Sequence, residues 1–262
     1  MESFASFDGT RIAYERWGPA DEHGPVVLLH GFAVHTRLNW EVTGVMEHLV
    51  EVGHHVIGID ARGHGQSDKP HDPARYGEDL MAGDVSSLLD TLDPPMVDLV
   101  GYSMGAIVSL LVAVRDARVR SLVVGGVGAS VVELGGLDTT AVPKEDVAAV
   151  LLAEDPASIA GNLAVGFRNL ADLVDADRMA LAAVAMAART GRLPLGAITA
   201  RTLVLAGTED TLARRPEVLA AAIPTATLEL VPGDHLAAVA DAAFAQALVS
   251  FLKRDPVMCR HR

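Results

Sequence analysis

The sequence predicts an α/β fold with a mostly parallel sheet, and three observations support this prediction. Short apolar runs, typical of buried strands, alternate with longer segments that carry apolar residues at helical spacing. The chain has 262 residues, enough for one large α/β domain or two small ones. Half of the residues are hydrophobic, which supports a sizeable core, and Ala, Val and Leu must fill most of it because aromatic residues make up only 4%.

Eight segments are predicted to be strands, and the first two form a hairpin around the Asp8-Gly9 turn. The predicted strands cover residues 3–8, 10–17, 26–30, 55–60, 96–100, 119–124, 202–206 and 227–231. The predicted helices that alternate with them cover residues 38–50, 79–92, 106–114, 214–222 and 236–253. This alternation is typical of a parallel sheet with helices on its faces.

The alternation stops between about residue 125 and residue 199. Three alanine-rich helical segments are predicted there instead, at 144–153, 156–174 and 175–190. We interpret residues 126–199 as a helical lid inserted after the sixth strand; an ordinary set of sheet-covering helices is the alternative. Residues 1–125 and 200–254 then form the core domain, and residues 255–262 form a tail.

Charge and cysteine content exclude several classes of partner. The net charge is −13 without any basic cluster, which argues against nucleic acid and anionic membranes. Cys259 is the only cysteine, so no intrachain disulfide and no cysteine-based metal site can form. The first residues lack a basic segment followed by an apolar one, so we expect no secretory signal, and no apolar run reaches membrane-spanning length. We expect a cytoplasmic protein with a small-molecule substrate; the oligomeric state is not predicted.

The most informative motif is G-Y-S-M-G at residues 101–105, between a predicted strand and a predicted helix. A turn of this kind is so tight that side chains two residues before and after the serine would clash, and Gly101 and Gly105 remove those clashes. The pattern fits a nucleophile elbow, which lifts the Ser103 hydroxyl off the sheet at the N-terminus of a helix.

A serine hydroxyl becomes a nucleophile when a base removes its proton and a third group holds that base. Asp210 follows the seventh predicted strand and His235 follows the eighth. Carboxyl ends of parallel strands share one edge of the sheet, where ligands bind. The order Ser103, Asp210, His235 is that of nucleophile-elbow enzymes. Glu209 competes with Asp210 as the acid, whereas Asp234 is rejected because neighbours in sequence point apart.

The reaction also needs donors for the charge that develops on the attacked carbonyl oxygen. The third predicted strand ends in His30-Gly31-Phe32, where glycine lets the backbone turn toward the site. We assign the oxyanion hole to the backbone N–H groups of Phe32 and Met104. His30 is predicted to fix this loop by hydrogen bonds and not to act as a second base.

With these motifs the chain resembles the α/β-hydrolase family. The matching segments are H-G-F at 30–32, D-A-R-G-H-G-Q-S-D at 60–68, G-Y-S-M-G at 101–105, G-T-E-D at 207–210 and G-D-H at 233–235. The resemblance covers the chain apart from the lid and tail and implies an α/β-hydrolase fold with an eight-stranded, mostly parallel sheet. The roles it implies are nucleophile for Ser103, base for His235, acid for Asp210, oxyanion donors for Phe32 and Met104, and no catalytic role for His64.

Departures from family patterns narrow the class. Haloalkane dehalogenases and epoxide hydrolases of the family use an aspartate nucleophile, which Ser103 disfavours. Proline iminopeptidases usually carry a second glycine after the elbow, where this chain has Ala106. The only aromatic residue of the predicted lid, Phe167, is assigned to substrate binding together with Gly31. Met179 and Met186 are further candidates for a small or open acyl pocket.

Neither a cofactor nor a metal is predicted. The G-V-G sequence at 126–128 lacks the third glycine and the acidic residue of a dinucleotide-binding turn. The histidines at 54, 55, 64 and 71 do not show metal-ligand spacing. Arg37 and Arg168 could bind a substrate carboxylate, but we expect both to be solvated.

We therefore predict a cofactor-independent serine hydrolase that cleaves a carboxylic ester, lactone or thioester of a small to medium apolar acyl group through an acyl-enzyme. One alternative uses the same triad for carbon–carbon bond hydrolysis or for perhydrolysis, as in cofactor-free haloperoxidases. Another is a ligand receptor on a hydrolase fold, which would bind its ligand tightly with negligible turnover.

Overall fold

The computed structural model describes residues 1–20, 23–136, 142–155, 162–187 and 191–253. Within these ranges the strands are β1 (Glu2–Ala5), β2 (Arg11–Trp17), β3 (Val26–Leu29), β4 (Val56–Ile59), β5 (Val97–Tyr102), β6 (Val119–Gly125), β7 (Arg201–Gly207) and β8 (Ala226–Val231). The α-helices are α1 (Val45–Glu51), α2 (Glu78–Leu92), α3 (Met104–Arg115), α4 (Ala129–Leu134), α5 (Lys144–Leu152), α6 (Asn162–Leu173), α7 (Arg178–Met186), α8 (Pro216–Ala222) and α9 (Ala242–Leu252).

The strands form one sheet in the order β1-β2-β4-β3-β5-β6-β7-β8. β2 pairs antiparallel with both β1 and β4, and every pairing from β4 to β8 is parallel. This confirms the predicted eight-stranded, mostly parallel sheet. All six residues of β5 are buried at the centre of the sheet, so Ser103, the next residue, lies in the middle of its carboxyl edge.

Helices cover both faces of the sheet. On one face α2, α3 and α8 pack against the strands through a cluster of buried aliphatic side chains that includes Leu88, Ile107 and Leu219. On the other face α1 and α9 form a second cluster, which includes Leu49 and Phe244. Burial of aliphatic side chains on both faces is the main contribution to the stability of such a layered fold.

The predicted helix at 38–50 is interrupted in the structure. Residues Arg37–Glu41 form a single π-helical turn, and α1 begins only at Val45. Gly44, directly before α1, has a φ of 76°, a left-handed conformation that breaks the helix. The separate turn places Asn39 beside the loop after β3, where its side chain accepts a hydrogen bond from the Gly31 N–H.

The predicted helix at 236–253 also begins later than expected. A short 3-10 turn at Ala238–Ala240 comes first, and the Asp241 side chain then caps α9 by accepting a hydrogen bond from the N–H of Ala243 at 2.8 Å. An aspartate at this position satisfies one of the free N–H groups of the first helical turn.

The segment between β6 and β7 contains α4 to α7, and α4 is a helix that the sequence pattern did not predict. A third buried cluster, made mostly of Ala, Val and Leu side chains of α5, α6 and α7, holds this segment together. Parts of the predicted helices at 156–174 and 175–190, and the predicted tail at 255–262, lie outside the described residues. Among the helices that the structure describes, none has the length and apolarity needed to cross a bilayer.

Candidate active site

Ser103 sits on a strained turn between β5 and α3. Its backbone has φ 53° and ψ −115°, a combination that costs a non-glycine residue about 1–3 kcal/mol. The Ser103 N–H donates to the carbonyl of Gly125 at 2.8 Å, which ties the turn to β6. A Cβ atom at Gly101 would overlap the Gly105 carbonyl, and one at Gly105 would overlap the Leu29 carbonyl. Glycine is therefore required at both positions for the elbow to form.

His235 lies within hydrogen-bonding distance of both Asp210 and Ser103, the two residues predicted to act with it. His235 Nδ1 is 2.9 Å from Asp210 Oδ2, and His235 Nε2 is 3.0 Å from Ser103 Oγ. Because an ionised carboxylate only accepts hydrogen bonds, Nδ1 of the neutral ring carries the proton and Nε2 accepts from the serine hydroxyl. This is the arrangement in which the imidazole can remove the Ser103 proton.

Asp210 uses its two carboxylate oxygens for different contacts. Its Oδ1 accepts hydrogen bonds from the N–H groups of Leu212 and Ala213, while Oδ2 faces His235. These N–H donors hold the carboxylate in place without occupying the oxygen that orients the ring. Glu209, its competitor, is exposed, and the carboxylate that pairs with His235 Nδ1 among the described residues is that of Asp210. Asp234 instead caps the turn that follows it, by accepting from the N–H groups of residues 236 and 237.

Tyr102, the last residue of the central strand β5, fixes the backbone of His235. The Tyr102 hydroxyl donates to the His235 carbonyl at 2.7 Å, and the Tyr102 ring packs against the imidazole at 5.4 Å between centroids. A Cβ atom at Gly126, after β6, would approach Tyr102 to 2.8 Å and His235 to 3.1 Å. Glycine at position 126 therefore leaves room for both rings. The sequence analysis did not identify the role of Tyr102, although this residue lies within the G-Y-S-M-G motif.

The loop after β3 is fixed by two buried side chains. Asn39 Oδ1 accepts a hydrogen bond from the N–H of Gly31 at 2.8 Å. His30 Nδ1 donates to the Gly31 carbonyl at 2.7 Å, and His30 Nε2 accepts from the N–H of Ala61 at 3.0 Å. Complete burial lowers the pKa of His30 and keeps the ring neutral. His30 therefore has a loop-fixing position, whereas Asn39 escaped the sequence analysis because its partner is eight residues away.

The two predicted oxyanion donors lie on either side of Ser103. Met104 is the first residue of α3, where backbone N–H groups have no partner within the helix. Phe32 follows Gly31, and a Cβ atom at Gly31 would lie only 3.5 Å from Ser103 Cβ. Among the hydrogen bonds made by the described residues, neither the Phe32 nor the Met104 N–H is a donor. Both groups are therefore free to bind an oxyanion.

A cavity of about 200 Å³ opens at Ser103 and His235. Its wall is mostly apolar, and it includes both predicted substrate-binding residues, Gly31 and Phe167. Phe167 of α6 packs edge-on against Phe32 at 5.4 Å between ring centroids, so the helical segment meets the oxyanion loop there. The other lining residues are Phe32, Val34, Leu38, Asn39, Val42, Thr43, Tyr102, Leu170, Leu173, Leu236, Val239 and Ala240.

Other candidates lie away from this cavity. Met179 is 57% exposed, and neither Met179 nor Met186 lines the cavity. Arg37 is exposed and pairs with Glu15. The expectation that Arg168 is solvated was wrong. Its side chain is 7% exposed because three backbone carbonyls at the end of α5 and the Asp172 carboxylate surround its guanidinium.

Comparison with known proteins identifies the family. A Variovorax paradoxus protein, provisionally named as a carbamate hydrolase, is 35% identical over 93% of this chain and 96% of its own length. The chain belongs to the α/β-hydrolase family. The family's sequence profile, described as "alpha/beta hydrolase fold", matches residues 24–143. A hydrolase from Pseudomonas aeruginosa superimposes with a TM-score of 0.77 and 30% identity over 97% of this α/β-hydrolase and 98% of the neighbour. An esterase from Exiguobacterium antarcticum superimposes with a TM-score of 0.74 and 27% identity, over 96% of this chain and 99% of the esterase.

Proposed function

We propose that this α/β-hydrolase is a serine hydrolase that cleaves a carboxylic ester, lactone or thioester. The observation that carries the proposal is the continuous hydrogen-bonded path from Asp210 Oδ2 through His235 to Ser103 Oγ, with steps of 2.9 and 3.0 Å. This path ends at an apolar cavity next to two free backbone donors. A nucleophile, its base, the group that orients the base and a site for the developing charge are thus available together.

The reaction proceeds in two halves. Ser103 Oγ forms a bond to the substrate carbonyl carbon while His235 Nε2 takes the hydroxyl proton. The carbonyl oxygen becomes negatively charged and receives hydrogen bonds from the N–H groups of Phe32 and Met104. The carbon–leaving-group bond then breaks, and His235 returns the proton to the leaving alcohol or thiol. Water, deprotonated by His235, attacks the acyl-enzyme, and the carboxylic acid leaves as Ser103 regains its proton.

The cavity supports an acyl group of small to medium size. Its volume of about 200 Å³ and its Leu, Val and Phe lining favour short apolar chains over long ones. No lysine or arginine lines this cavity within the described part of the chain, which disfavours recognition of a substrate carboxylate there. Apolar lining residues such as Val42 and Leu173 are 73% and 70% exposed and leave the mouth of the cavity open to the ends of a substrate.

The test is hydrolysis of p-nitrophenyl esters with acyl chains of increasing length, by the wild type and by Ser103→Ala. We expect turnover to fall by a factor on the order of 10⁶ in the variant, as when a triad nucleophile is removed. Ser87→Ala, which removes a serine hydroxyl that bonds the Gly83 carbonyl within α2, is the matched control and should keep wild-type activity. Equal activity in the wild type and Ser103→Ala would contradict the proposal.

A second candidate reaction is the hydrolysis of a carbamate. It is favoured by the name of the Variovorax relative, which matches nearly the whole chain. The same residues would attack a carbamate carbonyl, but the attached nitrogen makes that carbon less electrophilic than the carbon of an ester. Turnover of a p-nitrophenyl carbamate at a rate comparable to that of the matched ester would favour this candidate. A receptor would instead bind either compound without multiple turnover.

A further inference from the structure

The side-chain amide of Asn39 uses its oxygen in a hydrogen bond, whereas its nitrogen has no hydrogen-bond partner among the described residues. The residue is 6% exposed, and its Oδ1 accepts from the Gly31 N–H at 2.8 Å. A backbone N–H can only donate, so this contact fixes which end of the amide is oxygen. Nδ2, with two N–H donors, is buried and has no hydrogen-bond partner among the described residues. A buried donor without a partner costs about 1–3 kcal/mol, so its presence requires an explanation.

Asn39 lies close to the nucleophile Ser103. Asn39 lines the same cavity as Ser103. A Cβ atom at Gly31 would lie 3.5 Å from Ser103 Cβ and 3.6 Å from Asn39 Oδ1, so the amide and the serine flank the same glycine. The nearest residues of the wall are apolar, including Leu38 and Val42, and the Thr43 hydroxyl already donates to the Asn39 carbonyl at 2.8 Å. Asn39 is thus one of the few polar residues of a mostly apolar wall, which also includes Thr43, Tyr102, Ser103 and His235.

We propose that Asn39 Nδ2 selects substrates that carry an oxygen acceptor a few atoms from the scissile carbonyl. The acceptor is an ether, hydroxyl or carbonyl oxygen on the acyl or the alcohol side of the ester. This inference rests on the proposed function and specifies its substrate class. A bound acceptor would satisfy the buried donor, whereas a purely hydrocarbon substrate would leave it unpaired. Sites built in this way reject analogues that lack the polar group.

The test uses pairs of esters that differ by exchange of one CH₂ for an oxygen atom. On the acyl side the pair is p-nitrophenyl butyrate and p-nitrophenyl methoxyacetate; on the alcohol side it is butyl butyrate and 2-methoxyethyl butyrate. For each pair the ratio of kcat/KM, oxygen-containing ester over hydrocarbon ester, is measured in the wild type and in variants. Comparing the ratio between proteins cancels the different intrinsic reactivities of the two esters.

Asn39→Asp separates the free donor from the loop contact. The carboxylate keeps an acceptor for the Gly31 N–H but removes both N–H donors when it is ionised, so the assay is run at about pH 8. We expect the ratio for one of the two pairs to fall about tenfold, the value of one good hydrogen bond. Thr36→Val is the matched control, because it removes a buried hydroxyl from the same segment at a position that does not line this cavity. It should leave both ratios unchanged.

A binding measurement keeps the inference testable if the wild type hydrolyses none of these esters. The four corresponding amides are titrated against Ser103→Ala and against Ser103→Ala combined with Asn39→Asp, and dissociation constants are obtained by ligand-observed NMR. Weaker binding of one oxygen-containing amide, by about tenfold in the double variant, supports the donor role even where ester hydrolysis fails. The inference would be overturned if removing the Asn39 donor changed neither the kcat/KM ratios nor the ratios of dissociation constants, for both the acyl-side and the alcohol-side pair.

Discussion

The carboxyl edge of the sheet and the helical segment between β6 and β7 are held in place by different interactions. At the edge, buried hydrogen bonds and glycines that admit no side chain fix the positions of Ser103, Asp210 and His235. The helical segment relies on contacts among Ala, Val and Leu side chains and on one buried arginine, Arg168. It also leaves several large apolar side chains exposed, among them Leu173.

This difference corresponds to different requirements. A displacement of about 1 Å at reacting atoms can cost a hundredfold in rate, so the edge must be rigid. Under the proposed function the helical segment has to exclude water and limit the size of the acyl group, and apolar packing without directional contacts is sufficient for that. We therefore expect substitutions at the edge to abolish activity and substitutions in the helical segment to change its selectivity.

The largest expected effect is the difference in stability and activity between alanine substitutions at two helical glycines, Gly105 and Gly166. In Gly105→Ala, at the edge, the new methyl group would overlap the Leu29 carbonyl, and we expect a loss of about 3 kcal/mol in stability and at least a hundredfold in kcat/KM. In Gly166→Ala, on α6, the methyl group meets no atom within 4 Å. Alanine is the better helix former, so this variant should gain about 0.5–1 kcal/mol. Urea unfolding and ester hydrolysis measure both effects; equal changes in the two variants would refute the contrast.

Arg168→Leu should loosen the helical segment without disturbing the edge. It removes the donors that bond the Val150 and Ala153 carbonyls at 2.9 and 2.8 Å, which leaves the end of α5 unsatisfied. We expect the protection of α5 amides against hydrogen exchange to fall by about 2–3 kcal/mol. Arg37→Leu removes an exposed guanidinium that pairs with Glu15 and Glu41, and it should cost less than about 1 kcal/mol. Unchanged α5 protection in Arg168→Leu would show that this arginine is not a structural link.

Acid should destabilise the edge through its buried neutral histidines. Burial lowers the pKa of His64 to about 3, whereas an unfolded histidine titrates near 6.5. Above pH 6.5 neither state binds the proton. Below it the unfolded state does and the folded state does not, so stability falls toward pH 3 by about 1.4 kcal/mol per pH unit for this group. Urea unfolding at pH 7.5, 6.5 and 5.5 measures the slope.

Two variants test whether His64 is responsible for part of this slope. His64→Asn should reduce the dependence on pH by about one bound proton, whatever its effect on stability at neutral pH. His48→Gln, which replaces an exposed histidine of α1, is the control. As a measurement that needs no variant, the NMR signal of the His64 ring should not titrate between pH 7.5 and 5.5. A His64 ring that titrates in this interval would contradict the prediction.

The smallest expected effect concerns Phe167. Phe167→Leu removes the edge-on contact with Phe32 and enlarges the cavity, so the preferred acyl chain should become longer. We expect KM for short esters to rise only about threefold to tenfold, because the lost contact is worth about 0.5–1.5 kcal/mol. kcat for the best ester should stay near the wild-type value, since Ser103 and His235 are untouched. A large fall in kcat without a shift in chain-length preference would contradict this prediction, because it would show that Phe167 affects activity as the residues of the carboxyl edge do.

The elements that the sequence predicted well are those specified by neighbouring residues. The eight strands, the elbow and the hairpin depend on local apolar patterns and on glycines at tight turns, and these are visible in the sequence. The interruption at Gly44 was missed, because a single glycine within an apolar periodic segment does not specify a helix break. Arg168 was wrongly expected to be solvated, because its carbonyl partners lie on another helix.

The sequence by itself determined where the eight strands lie along the chain and which loops carry Ser103, Asp210 and His235, since short-range backbone preferences set where each strand ends. Only the tertiary structure decided which side chains of those loops meet, that the Tyr102 hydroxyl holds the His235 backbone, and that Asn39 keeps a free donor beside the nucleophile. Burial and hydrogen-bond partners arise from contacts between segments far apart in the chain, and no local pattern encodes them.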